Sequence, residues 1–155
     1  HRFSIRLPNH CFTPPSPKLD TTFIDAEFQA LLLKKAIAPT SPHRKGFCST
    51  VFLVQKRGGG HRLVLNLRDF NQFILYRHFK MEGIHLLHDL LLEGDWMVTL
   101  DLKDAHWSVP IFPPHKRFLQ FQSRDCWYEY LVLPFCLSSA PWAFSKLMRS
   151  VVKRL

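Results

Sequence analysis

Asp101 and Asp104 stand three residues apart where an apolar run gives way to a turn, in VTLDLKDAHWSVPI, residues 98–111. A carboxylate at the end of an apolar strand is costly unless it is solvated, paired or bound to a cation. Magnesium is a hard ion that takes one or two carboxylates together with phosphate oxygens. Two such ions can hold both the attacking and the leaving oxygen of an in-line phosphoryl transfer. Asp104 opens the stretch Asp-Ala-His-Trp, where backbone N–H groups can meet a triphosphate. Taken alone, Asp-x-x-Asp after a strand is a weak signal, and helix capping or surface pairing accounts for it as well.

The charge around this pair is uneven. The 155 residues carry a net +9, but residues 34–80 hold ten Lys or Arg against Asp69, a net +9 in that stretch alone. Residues 81–105 reverse the sign, with six acids against Lys103, and from His106 onward seven basic residues face two acids. A solvated basic surface is the plain reading. The other is a polyanion-binding surface flanking a small acidic site, as an enzyme handling nucleic acid with a cation needs.

The elements that must position these residues can be read in outline. Hydrophobic residues at 46% and aromatics at 14% describe a chain with a core rather than a disordered tail. Residues 1–20, with four prolines, read as an extended arm, and residues 21–155 as one unit. TTFIDAEFQALLLKKAIAP predicts a helix with Thr22 and Asp25 in capping-box spacing. Its apolar stripe is Ile24, Phe28, Leu31 and Leu32, and it ends before Pro39. STVFLVQKRGGGHRLVLNLRDFNQFI predicts a β-hairpin about three glycines, with Leu63, Leu65 and Leu67 on the core face and Arg62, Val64 and Asn66 on the other. MEGIHLLHDLLLEG predicts a short helix with Ile84, Leu87, Leu90 and Leu91 inward, stopped by Gly94. WMVTLDL predicts a strand, with Val98, Leu100 and Leu102 on one face and Met97, Thr99 and Asp101 on the other. Strands follow near 118–121 and 128–132. A last helix has Pro141 in its first turn and buries Phe144, Leu147, Val151 and Leu155. This order is α+β, without an alternating βαβ series.

Other chemistries fit less well. The glycines at 58–60 lack the Lys-Ser/Thr and following helix of a phosphate-binding P-loop, so they read as a turn. His85 and His88 lack a third ligand nearby and read as solvated or capping side chains. Cys11, Cys48, Cys126 and Cys136 lack Cys-x-x-Cys spacing. They read as buried thiols of a reducing, intracellular compartment, nuclear or cytoplasmic, rather than as disulfides or zinc ligands. No apolar run approaches the ~20 residues of a membrane span, so no membrane partner is expected.

Four blocks, taken in order, resemble a reverse transcriptase, specifically the retrotransposon branch near gypsy-like and DIRS-type elements. FCSTVFLVQKRGGGHRLVLNLRDFNQFI resembles the fingers hairpin of that family, and FKMEGIHLLHDLL the segment leading into the palm. VTLDLKDAHWSVPI resembles its first catalytic motif, and YEYLVLPFCLSSAPWAFSKLM its Leu-Pro-x-Gly…Ser-Pro motif. The resemblance covers residues 25–155 and implies the fingers and partial palm of a right-hand polymerase fold. Asp101 then matches the first metal-binding aspartate, with the Leu102 carbonyl as companion ligand for Mg²⁺ or Mn²⁺. Lys56 and Arg62 match the fingers residues that grip the phosphates of an incoming dNTP. Backbone at Asp104 and Ala105 is expected to meet the same nucleotide. His106 stands where the family usually has a Tyr or Phe that screens the sugar 2′-OH. Phe135 and Cys136 stand where it commonly reads Phe-Gly or Gln-Gly. A Cβ and thiol in place of that glycine are expected to crowd the site by about 1–3 kcal/mol, the scale of overpacking.

Arg68 and Asn71 fall in a block resembling Asp-x-Arg-x-Leu-Asn and are expected to be structural or template-side. Ser138–Phe144 would start the helix that supports the template. The implied partners are an RNA or DNA template with its primer, the dNTP, and the remainder of the polymerase, with RNase H as a possible attached domain. The family completes its metal site with Tyr/Phe-x-Asp-Asp, which does not occur in these residues. The expectation is therefore a chain cut before that motif and inactive alone. The alternative is a non-catalytic nucleic-acid-binding relic.

Overall fold

In the computed structural model, residues 1–2, 4–5, 21–56, 58–75, 77–79, 91–98, 102 and 105–152 are described. Helix α1 spans Thr21–Leu33 and buries Phe28 and Leu31. It stops earlier than its sequence pattern predicts. Lys35 adopts left-handed backbone, φ 53°, Ala36 N–H donates to the Leu31 carbonyl at 2.9 Å, and Lys35 N–H to that of Leu32. These two bonds form a Schellman cap, made here with lysine in the position glycine usually takes. The chain turns straight into strand β1, Ile37–Thr40, which includes the Pro39 that was expected to lie beyond a helix.

β1 is an edge strand of a four-stranded sheet whose order is β1-β6-β5-β2. The others are β2 (Cys48–Ser49), β5 (Gln120–Ser123) and β6 (Cys126–Tyr130). β1 runs antiparallel to β6, with Ile37 opposite Tyr130, and β2 runs parallel to β5. The β2–β5 approach depends on Gly46, where an added Cβ would sit 2.6 Å from the Arg117 carbonyl oxygen. The buried Gln120 amide ties down the preceding loop, donating to the Ser41 carbonyl and accepting from His43 N–H. Such pairing is what makes a buried amide tolerable.

One residue after β2 the chain enters the hairpin β3 (Val51–Gln55) and β4 (His61–Leu65). The register pairs Val51 with Leu65 and Val54 with Arg62, and Gly59 and Gly60 take positive φ in the turn. Leu63, Leu65 and Leu67 are buried while Arg62 and Asn66 are exposed, as their alternation implies. A short helix α2, Arg68–Asn71, inserts Phe70 into the core beside Phe47 and Phe118. After the segment around 91–98 come a 3₁₀ turn at Ala105–Ser108, a short helix α3 (Pro113–Lys116) and helix α4 (Ala140–Val152). The core gathers Phe28, Ile37, Leu65, Phe70, Phe121 and Leu133 between α1, the hairpin and the sheet.

Several expectations give way. Trp96, Met97 and Val98 form no strand and are 99%, 73% and 85% exposed, and Leu102 is also irregular and exposed. Alternating apolar residues make a strand only beside another strand, and no described strand pairs with them. Leu91 is exposed rather than inward, and Leu92–Gly94 are not helical. The rest of that expected helix, residues 81–90, lies outside the described residues, as do 6–20 of the arm, Thr99–Asp101 and Leu155. α4 rests on the body through the small residues Ala140 and Ala143, so Phe144 is half-buried while Leu147 and Val151 stay exposed. Cys48 is a buried thiol, but Cys126 and Cys136 are exposed. Two thiols that were expected inside lie instead at the start of β6 and on the 134–137 loop.

Candidate functional site

β4 presents Arg62 on its open face, and that guanidinium lies over the Phe135 ring, 5.3 Å from its centroid. Phe135 in turn meets His106, with centroids 4.6 Å apart, and His106 stacks on Phe144 at 4.8 Å with the rings 14° from parallel. Arg62, Phe135, His106 and Phe144 thus form a continuous ladder across β4, the 134–137 loop, the 3₁₀ turn and α4. Each rung is favourable: a cation over a ring contributes about 0.5–2 kcal/mol and an aromatic pair about 0.5–1.5 kcal/mol. Beside the ladder opens a cleft of about 340 Å³, lined by Phe52, Val54, Arg62, Trp107, Phe135 and Cys136 among others.

Asn71 sets the position of the loop. Its amide Nδ2 donates to the Cys136 carbonyl at 2.8 Å, and its Oδ1 accepts from Ser138 N–H at 2.9 Å. The end of α2 is thereby pinned at two points to the backbone just after Phe135. Cys136 itself is not strained, since the non-glycine residues with left-handed backbone among those described are Lys35 and Arg124. The crowding expected at Cys136 therefore concerns only what enters the cleft and not the chain's own backbone. Burial pushes the Cys136 thiol up and the His106 imidazole down from their ordinary values. Both effects favour the neutral form. Tyr130, at the cleft floor, is raised by burial as well.

The structure therefore brings Arg62, His106, Phe135 and Cys136 together. Ala105 begins the 3₁₀ turn that carries His106. Lys56 stands apart from the cleft lining and pairs loosely with Glu27 of α1 at 3.4 Å. Asp101 and Asp104 lie outside the described residues, and Leu102 is exposed irregular backbone. No three His, Cys, Asp or Glu side chains converge among the described residues. The donors expected for a metal, the Asp101 carboxylate and the Leu102 carbonyl, are both oxygens and so suit a hard cation. The sequence reading did not include Trp107, which lines the cleft under the Lys34 ammonium, 4.5 Å from its ring centroid. Its place directly after His106 was the available signal.

No family model matches the chain. It is 27% identical over 146 residues to Polyprotein P3 of Commelina yellow mottle virus, covering 86% of this chain and 8% of that polyprotein. It is 25% identical over 137 residues to the retrovirus-related Pol polyprotein from transposon gypsy of Drosophila melanogaster, covering 84% of this chain and 13% of that protein. Among solved structures it superimposes on a foamy viral protease–reverse transcriptase in complex with double-stranded DNA with a TM-score of 0.73. The identity there is 18%, over 97% of this chain and 28% of that one. The fold is that of a reverse transcriptase segment. The α+β elements described above match the fingers and part of the palm, and the chain spans a small share of the length of each of these relatives.

Proposed function

We propose that the chain is the fingers and partial palm, residues 21–155, of an RNA-directed DNA polymerase from a retrotransposon of the gypsy-like and DIRS-type branch. It would work within a longer polymerase that brings the Tyr/Phe-x-Asp-Asp carboxylates absent from these residues. The observation that carries this reading is the ladder. Arg62, His106 and Phe135 belong to three separate sequence blocks, each matched to the nucleotide site by resemblance, and they meet in one run of ring contacts beside the cleft.

In this reading Arg62 binds the phosphates of the incoming dNTP. Its planar fork takes oxygens in pairs, and the Phe135 ring beneath it restricts the guanidinium before the ligand arrives. His106, neutral and wedged between two phenyl rings, faces the sugar. Asn71 fixes the loop on which Phe135 and Cys136 meet the base pair. Asp101 and the Leu102 carbonyl would hold Mg²⁺ or Mn²⁺, which when bound neutralises charge on the phosphate oxygens. The reaction is attack of a primer 3′-OH on the dNTP α-phosphate, with pyrophosphate leaving, along an RNA or DNA template.

The test is displacement of a fluorescent nucleotide by dNTP on the 155-residue chain. Arg62→Gln is expected to weaken binding about tenfold or more, since a hydrogen bond to a charged group contributes about 1.5–3 kcal/mol. Lys56→Gln, already paired with Glu27, should weaken it less. Unchanged affinity in Arg62→Gln would remove the phosphate grip. In a version continued through Tyr/Phe-x-Asp-Asp, Asp101→Asn should abolish extension while template binding persists.

A further inference from the structure

The cleft beside Arg62 is more apolar than a triphosphate needs. On the open face of the hairpin Val54 stands opposite Arg62 and Phe52 opposite Val64, and Phe52 and Val54 are 41% and 42% exposed. A strand face turned to solvent ordinarily carries polar side chains. Contiguous apolar surface in the open marks a place where something apolar docks. Trp107 and Pro134 continue these walls.

Two groups among them can do chemistry. Cys136 carries an exposed thiol at the cleft. Tyr130 lies on the floor, 4% exposed, and its phenol has no hydrogen-bond partner among the described residues. A buried donor left without a partner is costly. Burial and the nearby Cys136 both raise the phenol, which keeps it a donor at neutral pH. Burial raises the thiol as well. Since the thiolate is the nucleophile, free collision with an electrophile is slow there, and the faster route is one in which the electrophile is first held in the cleft.

We infer that this cleft is a covalent binding site for apolar α,β-unsaturated carbonyl compounds, with the Cys136 sulfur as nucleophile and the Tyr130 phenol as donor to the carbonyl oxygen. The sulfur adds to the β-carbon and forms the S–C bond, while the C=C π pair moves into an enolate whose charge rests on the carbonyl oxygen. Tyr130 O–H donates to that developing charge. The proton given up by the thiol reaches the α-carbon through water, nothing leaves, and no oxidant is consumed. The site shares its cleft with the nucleotide reading but uses none of the phosphate contacts that reading needs.

The experiment is labelling of the 155-residue chain with N-benzylacrylamide and, separately, with N-methylacrylamide, read by peptide mass spectrometry. Cys126, exposed at the start of β6, is the internal reference. The ratio of the Cys136 rate to the Cys126 rate should be at least about tenfold higher for the benzyl reagent, the scale of burying one aromatic ring. Phe52→Thr, at a half-exposed strand position, should erase much of that preference. Tyr130→Phe removes a hydroxyl that no group bonds, so the fold should hold. It should slow Cys136 about tenfold with either reagent and leave Cys126 alone. In urea the preference should vanish, and its persistence there would mean that the local peptide rather than the cleft sets it. Equal ratios for the two reagents would overturn the apolar site, and an unchanged Cys136 rate in Tyr130→Phe would overturn the phenol as donor.

Discussion

Replacing Asn71 removes the tie between the hairpin's helical extension and the cleft loop. Its two hydrogen bonds, 2.8 and 2.9 Å, contribute about 1 kcal/mol each at the usual net value. Cys136 and Ser138 are exposed, so water recovers part of what each loses, and Asn71→Ala should cost about 1–2 kcal/mol. Asn71→Asp is the sharper probe. It keeps an acceptor for Ser138 N–H but sets a carboxylate oxygen against the Cys136 carbonyl, where only the protonated acid can donate. The folded-state pKa of the introduced group is therefore raised above its unfolded value of about 3.9. The stabilisation it offers is fully present below about pH 3.9 and is lost as pH rises through the folded value. At pH near 7 Asn71→Asp should be at least as destabilised as Asn71→Ala, and on acidification it should recover relative to Asn71→Ala. Urea unfolding followed by tryptophan fluorescence measures both against the parent chain at each pH. Triphosphate displacement should weaken alongside, because Phe135 loses its fixed place under Arg62. If Asn71→Asp matches the parent chain at neutral pH, Asn71 does not pin the loop and the argument for a preset cleft falls with it.

Gly46→Ala should destabilise by about 1–3 kcal/mol, since both the Arg117 and His43 carbonyl oxygens crowd the new methyl at 2.6 and 3.0 Å. Gly58→Ala, with nothing within 4 Å, should stay within about 0.5 kcal/mol, and equal urea midpoints for the two would refute the close approach of β2 to β5. His106 has its pKa lowered by burial, so its neutral form stabilises the fold above the ordinary value of about 6.5, and that stabilisation is lost as pH falls through the lowered folded value. His106→Phe keeps the stack on Phe135 and Phe144 and removes the titration. Its stability advantage should therefore be larger at about pH 5.5 than at pH 7.5, and a constant difference between the two pH values would contradict a desolvated imidazole.

The parts of the fold legible in the sequence are those whose cause is local. The hairpin could be read because Leu63, Leu65 and Leu67 alternate within five residues and the glycine turn lies next to them. β1 could not, because residues 34–38 carry no stop signal. What ends α1 is a lysine forced into left-handed backbone, with Ala36 fully buried and its carbonyl taken by Leu131 N–H, some ninety-five residues on. Residues 96–98 failed in the opposite sense. Their alternation is as regular as that of β4, but β4 has β3 beside it and they have no described neighbour, so Trp96 stands almost wholly in solvent.

The site divides along the same line. Residue types suited to phosphate and nucleotide can be picked out in sequence, but their contacts cannot. Lys56 and Arg62 looked equivalent on one hairpin. Glu27 on α1 draws Lys56 aside, while Phe135, seventy-three residues beyond Arg62, draws that guanidinium over the cleft. Where each of two like cations points is thus decided by what it is packed against. The same reasoning separates Trp142 from Phe144: two aromatic residues on one helix, turned by its pitch to different sides, one under the Arg77 guanidinium and Lys146 ammonium and the other stacked on the His106 imidazole.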